Sequence, residues 1–128
     1  MTNLSPTFQI YKNKHVPLLY KEFTQQQRKI NAAKAAVKMI TEIAFDTYDT
    51  PSRKREYTFA RQCFTALVKR NTSLSLREIG ELYKIQYDHS TIIRHCEIIQ
   101  DIEHLGKRDP KFKEWEQIKE NFNLLIKW

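Results

Sequence analysis

Asp88-His89-Ser90-Thr91 gathers four polar side chains ahead of the first apolar residue, Ile92. Serine and threonine hydroxyls donate to or accept from most base edges, a threonine methyl packs on thymine, and a helix N-terminus attracts phosphate. Such a run has the chemistry to read nucleic acid if it opens a helix. Arg53-Lys54-Arg55 adds three adjacent cations. Cys63, His89, His95 and Cys96 invite a zinc reading, but no Cys-x2–4-Cys pair accompanies the histidines. His95 and Cys96 are also adjacent in sequence, about 100° apart on a helix. A catalytic Cys–His dyad fares no better, because both cysteines fall on apolar faces. Trp115 and Phe122 recur at helical spacing and read as core. The only glycines are Gly80 and Gly106. Neither a Walker motif nor a glycine-rich phosphate cradle can be built from them, which excludes an ATPase engine in these residues. The expectation is a non-enzyme with no cofactor and no metal.

Charge supports the polyanion reading. The 128 residues carry 22 Lys plus Arg against 15 Asp plus Glu, a formal charge of +7. Residues 53–96 alone hold nine basic and four acidic side chains, whereas residues 97–128 hold six and seven. A pI near 9.5 with its excess in one central block is the footprint of a polyanion binder, most commonly of nucleic acid. With 41% apolar and 29% charged residues, the composition fits one globular domain. No apolar run approaches the roughly 18 residues of a membrane span. The first residues lack a signal-peptide core, and two cysteines read as reduced thiols of a cytoplasmic, nucleoid-associated protein.

The elements that must position these residues are helical, because apolar positions recur at three and four and no strand-like alternation persists. The spacing predicts a first helix from Lys21 to about Phe45, with Phe23, Ile30, Val37, Ile40 and Ala44 on one side. It should stop before the turn-rich stretch from Asp46 to Ser52, which contains Pro51. A second helix is predicted from Arg55 to Lys69, burying Phe59, Cys63, Phe64, Leu67 and Val68. Ser75-Leu76-Arg77-Glu78 is a capping box opening a short helix with Ile79, Leu82 and Tyr83 inward. Lys84-Ile85-Gln86-Tyr87 is a brief connection, and Asp88 caps a helix running to about Leu105. That helix should bury Ile92, Cys96, Ile99 and Ile102 and end at Gly106 as C′. Asp109-Pro110 reads as N-cap and first residue of a last helix with Phe112, Trp115, Ile118, Phe122 and Leu125 on its apolar face. A short capped helix, a turn of about four residues and a second capped helix make a helix-turn-helix, in which the second helix meets base edges with its N-terminal residues.

Ala60-Arg61-Gln62, Ser75-Leu76-Arg77-Glu78-Ile79-Gly80 and Asp88-His89-Ser90-Thr91-Ile92-Ile93 resemble, in this order, the C-terminal DNA-binding domain of the bacterial replication initiator DnaA. The resemblance covers about Ala36 to Asp101 well and the last helix loosely. It implies an all-α helix-turn-helix bundle related to the Trp repressor, binding short asymmetric boxes in double-stranded DNA as a monomer. By similarity, Asp88, His89 and Ser90 would meet base edges in the major groove, with Thr91 beside the backbone. Arg61 would contact DNA from the preceding helix, and Arg53 would enter the minor groove, where narrow A·T tracts attract arginine. Lys54, Arg55, Arg77 and Arg94 would serve the phosphate backbone or assist. The chain departs from the family pattern in three places. Arg77 replaces the usual proline, the Gly-Gly-Arg turn becomes the longer Lys84-Ile85-Gln86-Tyr87, and Arg94-His95 stands where His-Ala is common.

The expected organisation is an extension over residues 1–20 and the DNA-binding domain over 21–128. In the extension, Phe8, Tyr11 and Tyr20 interleave with Lys12, Lys14 and Lys21, a pattern suited to stacking single-stranded bases, to an arm on the duplex or to packing on the domain. The function expected is sequence-specific duplex binding in replication initiation or its regulation. The rivals are a transcriptional regulator of the same fold and a helical adaptor that binds protein through residues 1–35.

Overall fold

The structure is a computed structural model that describes residues 17–127, with side chains from residue 24 onward. The expected roles of Phe8, Tyr11, Lys12 and Lys14 lie outside the described residues, as do the side chains of Tyr20 and Lys21. Six α-helices and one 3-10 turn make up the described chain, with no strand among them.

Helix α1 (Pro17–Thr41) buries Ile30, Ala33, Ala36 and Val37 at three- and four-residue spacing. It begins earlier than the spacing predicts and ends sooner. Glu42 takes a positive φ of 62°, and its N–H closes on the Lys38 carbonyl at 2.8 Å. The chain then resumes as a single turn, α2 (Phe45–Tyr48), inside what reads from sequence as one helix followed by a loop. The break re-aims two aromatic rings. Phe45 reaches Phe64 at 5.0 Å and Tyr83 at 5.8 Å between centroids, and Tyr48 is completely buried. Aromatic burial of this kind outweighs a few lost helical bonds.

Helix α3 (Arg55–Asn71) is the central element. All ten residues from Phe59 to Val68 are buried, which happens only to a helix covered on every side. Helices α1 and α5 pack against it, and α6 packs chiefly on α1. The predicted core positions Phe59, Cys63, Phe64, Leu67 and Val68 are all inside.

Helix α4 (Leu76–Gly80) opens with the capping box read from sequence: Ser75 Oγ accepts from the Glu78 N–H at 3.1 Å, and the Glu78 carboxylate accepts from the Ser75 N–H at 2.8 Å. It is shorter than expected, because the backbone of the following turn crosses its end. A Cβ on Gly80 would stand 2.0 Å from the Tyr87 carbonyl oxygen. Leu82 and Tyr83 therefore sit in the turn, which runs from Glu81 to Asp88 rather than over four residues; Tyr83 is still buried.

Helix α5 (His89–Leu105) begins and ends where the sequence places it. Asp88 Oδ1 accepts from the Thr91 N–H at 3.0 Å, and Gly106 has φ 57°. Ile92, Ile99 and Ile102 are buried, while Cys96 is only half-buried, at the edge of the stripe predicted to include it. The 3-10 turn Gly106–Arg108 leads to α6 (Phe112–Ile126), which opens two residues later than Pro110. Asp109 still serves the entry, with Oδ1 accepting from Lys111 N–H and its carbonyl from Phe112 N–H. Trp115, Ile118 and Phe122 are buried as expected. Glu103 of α5 ties the last helix down, accepting from Arg70, from the Trp115 indole N–H at 2.8 Å and from Lys119 at 3.1 Å. These donors hold its carboxyl down at about 2.

The core also contains a polar chain. Tyr83 Oη donates to the Arg61 carbonyl at 3.1 Å, so its oxygen accepts from Thr65 Oγ1 at 2.7 Å. The threonine oxygen in turn accepts from His95 Nδ1–H at 3.0 Å. Every member is matched by donor count when His95 carries a proton on Nδ1. Burial, assisted by the Arg61 charge, holds the His95 pKa down at about 4.

Two outcomes follow. Gly80→Ala forces the Tyr87 backbone away and should cost about 1–3 kcal/mol in urea denaturation, with altered near-UV signals from the Tyr83 and Tyr87 rings. Unchanged stability would refute the close approach. His95 takes up its proton in the unfolded chain near pH 6.5 but in the folded one only near 4. Its contribution is thus complete above about pH 6.5 and is lost as pH falls toward 4, on the order of 2–3 kcal/mol. Denaturation curves between pH 7.5 and 4.5 should show that loss in the wild type and a flatter profile in His95→Ala.

Candidate nucleic-acid interface

The polar tip of α5 is free to meet a ligand. Asp88, His89 and Ser90 are exposed, and Thr91 is half-buried against the helix start. Capping occupies one oxygen of Asp88, and the bonds from Thr91 lower its pKa, so the residue stays ionised and offers only acceptors. In base recognition that geometry accepts from the cytosine N4 amine. Ser90 brings a hydroxyl beside it, and His89 an imidazole.

Farther along the same helix, Ile93 is 40% exposed and Arg94 pairs with Glu97 at 3.6 Å. An apolar side chain facing solvent one turn into a polar-tipped helix is suited to a thymine methyl. The spacing places Ile92 inside, but Ile93 is missed as a contact because an apolar residue off the buried stripe carries no signal for one.

Arg77 joins the tip. With Glu81, Gln86, Tyr87, Asp88 and His89 it lines a cleft of about 280 Å³, and its guanidinium bridges to Glu81 at 3.2 Å. The turn keeps its shape from below. Tyr87 stacks edge-on against Tyr83 at 5.0 Å and against His95 at 5.8 Å, and its carbonyl presses on Gly80.

Arg53, Lys54 and Arg55 are exposed at the entry to α3, whose first residue is Arg55. Lys54 lies over the Tyr57 ring at 5.3 Å. Arg53 and Arg55 border a second groove of about 410 Å³, floored by Phe59, Ile98 and Ile102. The structure thus brings Arg77 to the α5 tip and sets Arg53 and Arg55 beside the body of α5, two separate cationic places on one helix.

Arg61 differs from expectation. It is only 6% exposed, and its guanidinium donates to the carbonyls of Tyr48, Thr50 and Ser52 and to Thr58 Oγ1. Four of the five guanidinium N–H groups are thus committed within the protein, and Arg61 fixes the backbone that carries Arg53. The reason is burial. The α2 break leaves three carbonyls converging on α3, and a forked cation satisfies them together. Asp49 completes the link, its Oδ1 accepting from the Lys84 N–H at 3.0 Å and so joining this loop to the turn before α5.

Among the described residues no three His, Cys, Asp or Glu side chains gather as a metal site, and no helix is long and apolar enough to cross a membrane.

The sequence pattern of the family described as "Bacterial dnaA protein helix-turn-helix" matches residues 30–99. A chromosomal replication initiator protein DnaA from Nostoc punctiforme is 39% identical over 67 residues, which is 52% of this chain and 14% of that protein. The corresponding protein of Microcystis aeruginosa is 43% identical over 57 residues, 44% of this chain and 13% of its own length. The chain therefore spans only a small part of these relatives. No solved structure matches it significantly. The matched residues run from the middle of α1 to the buried Ile99 of α5, and so include the clamped loop, the capped short helix, the crossed turn and the polar tip. By that match the chain belongs to the bacterial DnaA helix-turn-helix family.

Proposed function

We propose that this chain binds double-stranded DNA sequence-specifically, as part of replication initiation or its regulation, and that its 128 residues hydrolyse no nucleotide. The observation that carries the reading is the exposed Asp88-His89-Ser90 tip of a capped helix whose base is buried and whose approach is flanked by unburied cations. Inserted in the major groove, that tip offers acceptors from Asp88, a two-way hydroxyl from Ser90, an imidazole from His89 and an apolar contact from Ile93. Thr91 sits where a phosphate beside the helix start would lie. Arg53, on the loop held by Arg61, reaches the neighbouring minor groove, and Lys54, Arg55, Arg77 and Arg94 neutralise phosphates. A monomer suffices, because the two cationic places and the tip belong to one chain. Such a protein would work in the cytoplasm, on the nucleoid.

Fluorescence anisotropy with an initiator-box duplex and a scrambled duplex, each at several salt concentrations, tests the reading. The box should bind at least ~10³-fold tighter, with affinity falling steeply as salt rises. Equal binding to both duplexes would reduce the protein to a non-specific binder, and no binding at low salt would favour a helical adaptor for protein partners. The roles separate by substitution. Ser90→Ala should cost roughly 1–3 kcal/mol on the box and relax one base step, whereas Lys54→Ala should weaken all duplexes alike and lower the salt slope by about 1. Identical effects of the two changes on specific and random DNA would overturn these assignments.

A further inference from the structure

The turn before α5 holds one residue with an uncommon backbone. Gln86 has φ 57°, in the left-handed region that glycine or asparagine adopts more cheaply. Its N–H closes the turn on the Tyr83 carbonyl at 3.1 Å, a bond that any residue other than proline would make. The Gln86 side chain is exposed. It lies instead on the cleft that Arg77, Asp88 and His89 share. Compared with the family pattern the turn has one residue more and lacks its glycines, so the backbone strain is accepted here in place of a permissive residue. Strain alone marks a turn, as it does at Glu42; what singles out Gln86 is an exposed amide on the cleft that the polar tip of α5 shares.

We infer that Gln86 is a specificity-determining residue, reading the edge of an adenine in the base step adjoining the one met by Asp88 and His89. The inference rests on the DNA-binding reading proposed for this chain. A glutamine amide donates from its NH2 to adenine N7 and accepts from adenine N6 with its carbonyl oxygen, a bidentate match that no other base presents in the major groove. The neighbours are fixed well enough for this purpose. Tyr87 is pinned between Gly80, Tyr83 and His95 on one side, and Asp88 is pinned as the N-cap on the other, so the residue preceding them projects from a rigid base. A flexible turn would lose the gain to ordering; this one is already ordered.

The test is selection of binding sites from a randomised duplex pool by the wild type, Gln86→Gly and Gln86→Glu, followed by anisotropy on the selected duplex. Gln86→Gly removes the amide while relieving the backbone, so it should melt at or above the wild-type temperature. It should lose the adenine preference at one position, bind the selected duplex about 10-fold more weakly and leave random duplex affinity unchanged. Gln86→Glu, which only accepts, should move that position toward cytosine. A wild-type preference that survives whole in Gln86→Gly would overturn the inference alone. A wild type with no preference at any position would overturn it together with the DNA-binding reading.

Discussion

The hydrogen-bond chain from His95 through Thr65 and Tyr83 to the Arg61 carbonyl is the interaction on which the rest of the molecule depends. Its four members come from the central helix, the turn and α5, so α5 cannot rotate without breaking a buried bond. At the far end of the same residue, the Arg61 guanidinium seizes the loop carrying Arg53. One side chain thus fixes the basic loop while its carbonyl anchors the turn. Asp49, reaching the Lys84 N–H, fastens the two a second time. An apolar core would hold these elements by area alone and tolerate sliding; directional bonds in a low-dielectric interior set angle and register.

The arrangement separates cations by duty. Arg61 is spent inside on carbonyls, and its charge helps to keep His95 neutral. Arg70 and Lys119 converge on Glu103 with Trp115, securing the last helix. The remaining basic residues of the central block stay exposed on the surface. Positive net charge is therefore an incomplete guide to a binding surface, since part of it is structural.

Much of this is legible in the sequence, for local reasons. Capping residues announce helix starts because the bonds they make lie within three residues, which is why Ser75, Glu78, Asp88 and Gly106 read in their observed roles. The core stripe of α3 and most of that of α5 follow from periodicity. What escapes detection depends on distant partners. The break at Glu42 is favoured by rings that meet Phe45 from α3 and the turn. Arg61 looks like a surface contact because the three carbonyls that bury it lie nine to thirteen residues earlier. His95 looks polar and outward because only the fold reveals Thr65 beneath it. Ile93 lies off the stripe that periodicity marks, and the short α4 requires the crossing at Gly80, which no pairwise spacing encodes.

That crossing determines where this turn can vary in length. With the Tyr87 carbonyl seated on Gly80 and Asp88 fixed as a cap, both ends of the turn's last segment are immovable. An inserted residue has no room inward and must bulge toward solvent, on the side where the tip of α5 projects. Length changes here alter the outline offered to a duplex while leaving the core's shape untouched. The turn behaves as an exchangeable fitting on a fixed mount, so that its outline can change without refolding the domain that carries it.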